Sequence, residues 1–183
     1  ETKYGYDATG RRNMVKTPGG TITRTVFDGF GNPVETWVGT NDTDATDSDP
    51  TGNEAVANNM VKTESREFGA GGCSGCGGSA GQLTSVTQHV DEDASNDRET
   101  QYLYDWRGRR VYTFTPDGTY TMFHYDNLDR VTQTQRYADV DSDGPGSDAS
   151  EADSDDILIA QAETEYDERG RICRTRTHSV KPN

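Results

Sequence analysis

The sequence predicts an all-β protein: antiparallel hairpins repeated along the chain into a solenoid-like or spiral sheet, with little or no helix. Three observations lead there. First, Leu, Ile, Val and Phe together number only 25 of 183 residues, while Thr numbers 24, Tyr 9 and Trp 2. Such a chain cannot build a thick apolar core, but Thr and aromatic side chains fit half-buried strands. With a net charge of −14, the same poverty of large aliphatics would leave an irregular chain unfolded. The chain therefore folds through a repeat or not at all. Second, a repeat is present. Residues 1–12 overlie 99–110 at an offset of 98, and 15 of the first 36 pairs are identical. Thr17-Pro18-Gly19-Gly20-Thr21 meets Thr115-Pro116-Asp117-Gly118-Thr119 in the same register, and Phe68 still faces Tyr166. Two units follow, 1–98 and an incomplete 99–183.

Third, a short motif recurs inside each unit: an aromatic residue, Asp, two variable residues, Gly, then Arg or another polar residue. It reads Tyr6-Asp7-x-x-Gly10-Arg11, Phe27-Asp28-x-x-Gly31-Asn32, Tyr104-Asp105-x-x-Gly108-Arg109, Tyr125-Asp126-x-x-Asp129-Arg130 and Tyr166-Asp167-x-x-Gly170-Arg171. A degenerate sixth copy runs from Phe68-Gly69 through a glycine-rich insert to Gly81-Gln82. A strand ends on the aromatic, and the Asp carboxylate accepts backbone N–H groups just ahead in an Asx turn. Gly supplies the positive φ that closes the turn.

The strands follow from this grammar. Residues 11–17 and 109–115 leave a motif turn, the latter alternating with period two as Arg109-Arg110-Val111-Tyr112-Thr113-Phe114-Thr115. Residues 21–27 and 119–125 follow the Thr-Pro breaks and end on Phe27 and Tyr125. Residues 33–38 and 130–137 return from the second motif of each unit. Residues 60–68 and 157–166 lead into the third, 82–90 and 171–178 leave it, and 100–104 opens the second unit. Each copy is one strand–turn–strand.

With these residues the chain resembles the RHS/YD-repeat family, named for its Tyr-Asp pair, over most of its length outside the acidic loops. The resemblance implies hairpins wound into a continuous β-sheet spiral, of the kind that closes as a shell around a toxin or other cargo or serves in cell-surface adhesion. It also implies a secreted or cell-surface setting. The family's self-cleaving C-terminal segment is not recognisable, so proteolysis is not carried over.

Acidic residues are concentrated. The stretches 41–54, 91–99 and 139–156 hold 18 of the 32 acids. The first and last overlie at the 98-residue offset, so units stacked in register would bring like charges together. Either water and salt screen them, or a hard cation binds. Asp139-x-Asp141-x-Asp143-Gly144 has the alternating oxygen spacing of calcium loops, and Asp42 and Asp44 in the first unit's loop are further candidates. The Glu expected at the twelfth position is absent, Ser150 standing there, and flanking helices are not evident. The other reading is a solvated loop whose charge blunts edge-to-edge association. Asn41-Asp42-Thr43 is an N-glycosylation sequon.

Cys73-Ser74-Gly75-Cys76 lies in the glycine-rich insert 69–81. A redox pair would need a βαβ setting, and zinc would need four ligands. A local disulfide in an oxidising compartment accounts for the pair more simply. Cys173 is the odd thiol, either buried on its strand or paired with a neighbouring unit. The histidines His89, His124 and His178 share no spacing, and no nucleophile elbow, phosphate loop or His-Glu-x-x-His occurs. No catalytic constellation is visible, and no cofactor other than structural Ca²⁺ is implied.

The charge opposes nonspecific binding to nucleic acid or an anionic membrane, and no apolar run is long enough to span a bilayer. Arrays of this kind need at least three units and caps. The expected partners are therefore copies of the chain itself, added head to tail in a fibre, tube or shell. The alternatives are a segment of a cargo-enclosing cocoon, or an adhesin presenting tyrosines to a surface glycan.

Overall fold

The computed structural model describes residues 1–55, 57–69, 81–91, 93–139, 152 and 156–179. Among them are twelve strands: β1 (Lys3–Tyr6), β2 (Arg12–Lys16), β3 (Ile22–Phe27), β4 (Pro33–Gly39), β5 (Val61–Phe68), β6 (Leu83–Gln88), β7 (Arg98–Tyr104), β8 (Arg110–Thr115), β9 (Thr119–Tyr125), β10 (Val131–Ala138), β11 (Ile157–Tyr166) and β12 (Ile172–Ser179). The one helical turn among the described residues is a 3-10 turn at Ala94–Asn96. The protein is all-β, antiparallel and repetitive, as the sequence predicts.

One strand departs from expectation. Lys3–Tyr6 is a strand, although the expected set began at residue 11. Gly5 interrupts its run of side chains and weakens its strand signal. The structure gives the reason for that glycine. It lies opposite Met14 on β2, and a Cβ there would come within 3.0 Å of the Met14 Cβ.

The chain forms two compact units, residues 1–67 with 86–98, and 68–85 with 99–183. In the first, β1 to β5 form a meander in which each strand pairs with its sequence neighbours. In the second, β7 to β12 do the same. The motif turns join β1 to β2, β3 to β4, β7 to β8, β9 to β10 and β11 to β12. In each meander they therefore lie at one end of the strands, and the Thr-Pro turns and acidic loops lie at the other.

Each unit's core lies on one strip of sheet. In the first unit Ile22 and Val26 of β3 share a face by alternation and are buried, as is Met60. The loop between β4 and β5 folds over that face. Pro50 is fully buried and Gly52 is buried beside it. In the second unit Tyr112, Tyr120 and Met122 are buried together. Tyr120 stacks on Tyr137 at 5.2 Å and tilts against Tyr112 at 5.8 Å. Ala152, from the loop between β10 and β11, packs against this cluster, and the Tyr120 hydroxyl donates to Asp156. Ile22 and Tyr120 are equivalent at the 98-residue offset. The repeat thus keeps a buried position, with an aliphatic core in one unit and an aromatic core in the other.

Candidate functional site

The motif turns share one geometry. In the first, Asp7 N–H donates to Arg11 O (2.9 Å) and Gly10 N–H to Asp7 O (3.0 Å). This is a β-turn closed by a residue in the left-handed region, the G1-bulge form of a three-residue hairpin loop. Asp7 Oδ1 accepts from Thr9 N–H and Arg11 N–H, both at 2.9 Å, and Oδ2 accepts from Arg11 Nε–H at 2.6 Å. The same bonds recur around Asp105, Asp126 and Asp167 with Arg109, Arg130 and Arg171. Around Asp28 the short Asn32 amide takes the arginine's place at 2.9 Å. Gly10, Gly31, Gly108 and Gly170 carry φ of 85°, 94°, 79° and 77°, and Asp129 occupies the slot at 62°.

The Asx turn was legible in the sequence. The role of the arginine was not. Its guanidinium clamps its own turn's Asp and also covers the aromatic ring that opens the next turn in the same unit. Arg11 lies over Phe27 at 4.6 Å, Arg109 over Tyr125 at 4.7 Å and Arg130 over Tyr166 at 4.4 Å. Arg11 and Arg109 also reach the next turn's carbonyl, at Asp28 O (3.4 Å) and Asp126 O (3.3 Å). The motif glycine is called for by its positive φ and not by the guanidinium beside it, which a Cβ would meet only in ordinary contact. A Cβ at Gly31 would lie 3.5 Å from Arg11 NH1, and one at Gly170 would lie 3.6 Å from Arg130 NH1. Where Asp129 replaces the glycine, its carboxylate binds Arg107 and Arg109, both at 2.8 Å.

The tyrosine hydroxyl makes the return contact. Tyr125 OH donates to Arg110 O (2.8 Å) and Tyr166 OH to Val131 O (2.9 Å), each the residue just past the preceding turn. Tyr104 OH donates to Leu83 O (2.9 Å), just past the degenerate copy. That copy keeps the closure. Gly69 N–H donates to Gln82 O (2.8 Å), and Gly81 N–H to Gly69 O (2.9 Å) with φ 73°. Gln82, in the arginine slot, donates to Gly108 O at 3.1 Å. The turns thus form ladders in which each is held by its predecessor.

This setting moves the carboxyls. Burial pushes Asp7, Asp28 and Asp105 up, but hydrogen bonds from the turn outweigh it and hold all three below the ordinary 3.8. The Arg130 side chain holds Asp126 below that value, and the Arg171 backbone and side chain do the same for Asp167.

The calcium candidates do not form a cluster among the described residues. Asp42 is taken by Arg24, with Nε at 2.8 Å and NH2 at 2.7 Å. Asp44 is exposed, Asp139 is half-buried, and Asp141 and Asp143 lie outside the described residues. No three His, Cys, Asp or Glu side chains converge as metal ligands among the described residues. In place of a freely solvated run, the first acidic loop uses its polar groups on itself and on the sheet. Asp47 accepts from Asn13 Nδ2 at 2.7 Å, Asp49 from Thr51 and Asn53, and Asn59 Oδ1 from Thr40 and Asn41. Cys73 and Cys76 lie outside the described residues. Cys173 is an exposed free thiol, not a buried one. His124 bonds Gln135 at 2.9 Å within the sheet. No helix of the described residues is long and apolar enough to cross a membrane.

No family model matches the chain, and no curated protein matches it. Among solved structures it is similar to TcdB2-TccC3 without its hypervariable C-terminal region (15 % identity, TM-score 0.45) and to the Photorhabdus luminescens Tc holotoxin pore (15 %, 0.44). A complex of TcdB2-TccC3 with Cdc42 follows at 13 % and 0.36. These alignments cover 96–97 % of this chain but only 9–10 % of the other chains. The chain thus spans about a tenth of their length.

Proposed function

We propose that the chain is a wall-forming β-repeat segment, built to be extended hairpin by hairpin at both ends of its turn ladders. One observation carries this: the outermost rungs are chemically complementary and unfilled. Arg171 clamps Asp167 as its counterparts do, yet its side chain is 71 % exposed and covers no ring among the described residues. Arg109 and Arg130, which cover rings, are 22 % and 27 % exposed. In the first unit Tyr6 is 63 % exposed, and no arginine among the described residues lies over its ring. An incoming motif would place its aromatic under Arg171 and donate its hydroxyl to the Ile172 carbonyl. Among the described residues nothing pairs with the outer edges of β1 and β12, so main-chain bonds would accompany the contact.

Our first choice of occupant is a second copy, giving a head-to-tail fibre, tube or shell, since a heterologous contact that does not close makes an open polymer. The second is further repeats of the same motif in a longer, cargo-enclosing wall, a reading supported by the resemblance of the motif. An adhesin is less favoured, because Tyr104, Tyr125 and Tyr166 spend their hydroxyls on the sheet and Tyr112 and Tyr120 are buried. A secreted or surface setting belongs to the same proposal. Labelling of Cys73 and Cys76 without reductant would count against it.

Sedimentation with electron microscopy tests the wall. Filaments or rings in the native protein, lost in both R171A and Y6A with the far-ultraviolet dichroism unchanged, support self-assembly. A native protein that stays monomeric at high concentration rejects it in favour of the segment reading.

A further inference from the structure

The first unit holds a constellation that the turn ladder does not use. Ser65 on β5, His89 just after β6 and Asp97 just before β7 are 24 and 8 positions apart in sequence and joined side chain to side chain. The Ser65 hydroxyl lies 3.0 Å from His89 Nε2, and His89 Nδ1 lies 2.7 Å from Asp97 Oδ2. The tautomer follows from the partners. An ionised carboxylate only accepts, so in the neutral ring Nδ1 carries the proton, Nε2 is left as an acceptor, and the Ser65 hydroxyl donates to it. This is the arrangement that activates a serine nucleophile: a base within hydrogen-bond reach, oriented by a third group.

Local structure holds each member in place. His89 N–H donates to Thr63 O at 3.0 Å, tying the ring to the strand that carries Ser65. Asp97 ends a 3-10 turn whose N-cap is Asp93, with Asp91 accepting from Asp93 N–H (2.8 Å) and Asn96 Nδ2 (2.9 Å). The acidic stretch 91–99 thus positions one carboxylate by hydrogen-bonding the others. The side chains of His89 and Asp97 are 23 % and 16 % exposed, and Ser65 is half-buried. His89 lines an open groove of about 570 Å³. Two arginines line the same groove. Arg66 is paired with Glu64, whereas Arg98 has no partner among the described residues.

We infer that Ser65 is an acyl-transfer nucleophile, with His89 as its base and Asp97 as the residue that positions the base, acting on esters that carry an anionic group held by Arg98. In the first half-reaction Ser65 Oγ bonds to the acyl carbon and its proton passes to His89 Nε2. The ester C–O bond breaks, and the departing alcohol takes that proton. Water then adds to the acyl carbon, giving a proton to Nε2. The acid leaves as Ser65 Oγ recovers the proton. No oxidant or further reactant is needed.

The inference is independent of the wall proposal and is tested on the intact chain. A fluorophosphonate probe followed by peptide mass spectrometry reads the nucleophile. Hydrolysis of a 4-nitrophenyl ester with a carboxylate on its acyl chain reads the reaction. Ser65 should be labelled, and labelling should fall about 100-fold or more in H89A and in D97N. D97N keeps the size of the side chain, so it serves if H89A does not fold. R98Q should raise KM for the carboxylate-bearing ester by a larger factor than it raises KM for 4-nitrophenyl acetate, and equal factors for the two esters would overturn the role of Arg98. Labelling of Ser65 no faster than that of the exposed Ser95 in the folded protein would overturn the inference. So would ester hydrolysis that persists in S65A.

Discussion

At the scale of the residue, the arginine that ends the motif matters because it works in two turns at once. Arg130 forks onto Asp126 through Nε and NH2, at 2.7 and 2.6 Å, and covers Tyr166 at 4.4 Å. A lysine keeps the charge but not the planar fork or the stacking face. R130K should therefore cost about 1 kcal/mol in urea unfolding, much of it from the lost ring contact. R171K removes the same fork from an exposed arginine with no ring beneath it, so its cost should stay under about 0.5 kcal/mol. Equal costs would mean that the ring contact contributes nothing. The residue scale also explains why Asp129 is tolerated where the other complete copies have glycine. Asp enters the left-handed region more readily than most side chains, and its carboxylate gains two arginines.

At the scale of the element, the first acidic loop is a cover for the β3 face. Asn58 Nδ2 donates to Thr43 O and Pro50 O, both at 2.9 Å, drawing the two limbs of the loop together over Ile22. Gly52 sits where they cross. Its φ is 63°, and a Cβ would meet Thr43 O at 2.4 Å and the Asp44 carbonyl carbon at 2.8 Å. Both limbs are backbone there, so no side-chain rotation relieves the clash. G52A should destabilise the first unit by more than about 1 kcal/mol. Hydrogen exchange should show faster exchange for the amides of 40–60 before those of β8 to β10 change. A variant exchanging like the native protein would show that the loop does not cover the core.

At the scale of the whole molecule, the ladders predict the response to acid. Asp7, Asp28, Asp105, Asp126 and Asp167 are all held below the ordinary carboxyl value of 3.8 in the folded protein. As pH falls through 3.8, the unfolded chain takes up protons that the folded chain refuses, so folding loses stability. The urea midpoint should be level near neutrality, then drop from about pH 4 downward as the folded values are passed. A midpoint that rises in that window would contradict the clamped turns. Calcium is tested separately. With Asp42 paired to Arg24, the calcium proposal rests on Asp139, Asp141 and Asp143. If these bind the ion, chelation at fixed ionic strength should lower the melting temperature, and an unchanged value would remove the proposal.

The strand grammar was legible in the chain because it is local. An aromatic, an Asp and a left-handed glycine close a hairpin through bonds spanning five residues, and the 98-residue offset repeats them. Even the degenerate copy at Gly69 and Gly81-Gln82 could be located, since its closing bonds need only the two ends of the insert. Lys3–Tyr6 escaped because Gly5 answers to Met14 on the next strand and not to its own neighbours. The arginine ladder, the covering loop and the Ser65–His89–Asp97 relay were decided only by tertiary structure. Arg11 meets Phe27, Asp47 meets Asn13 and Ser65 meets His89 across separations of 16, 34 and 24 positions, which no short period encodes. The sequence by itself determined how each hairpin turns. Pairing between strands decided which side chains face one another, because register and alternation bring together residues that the chain keeps apart.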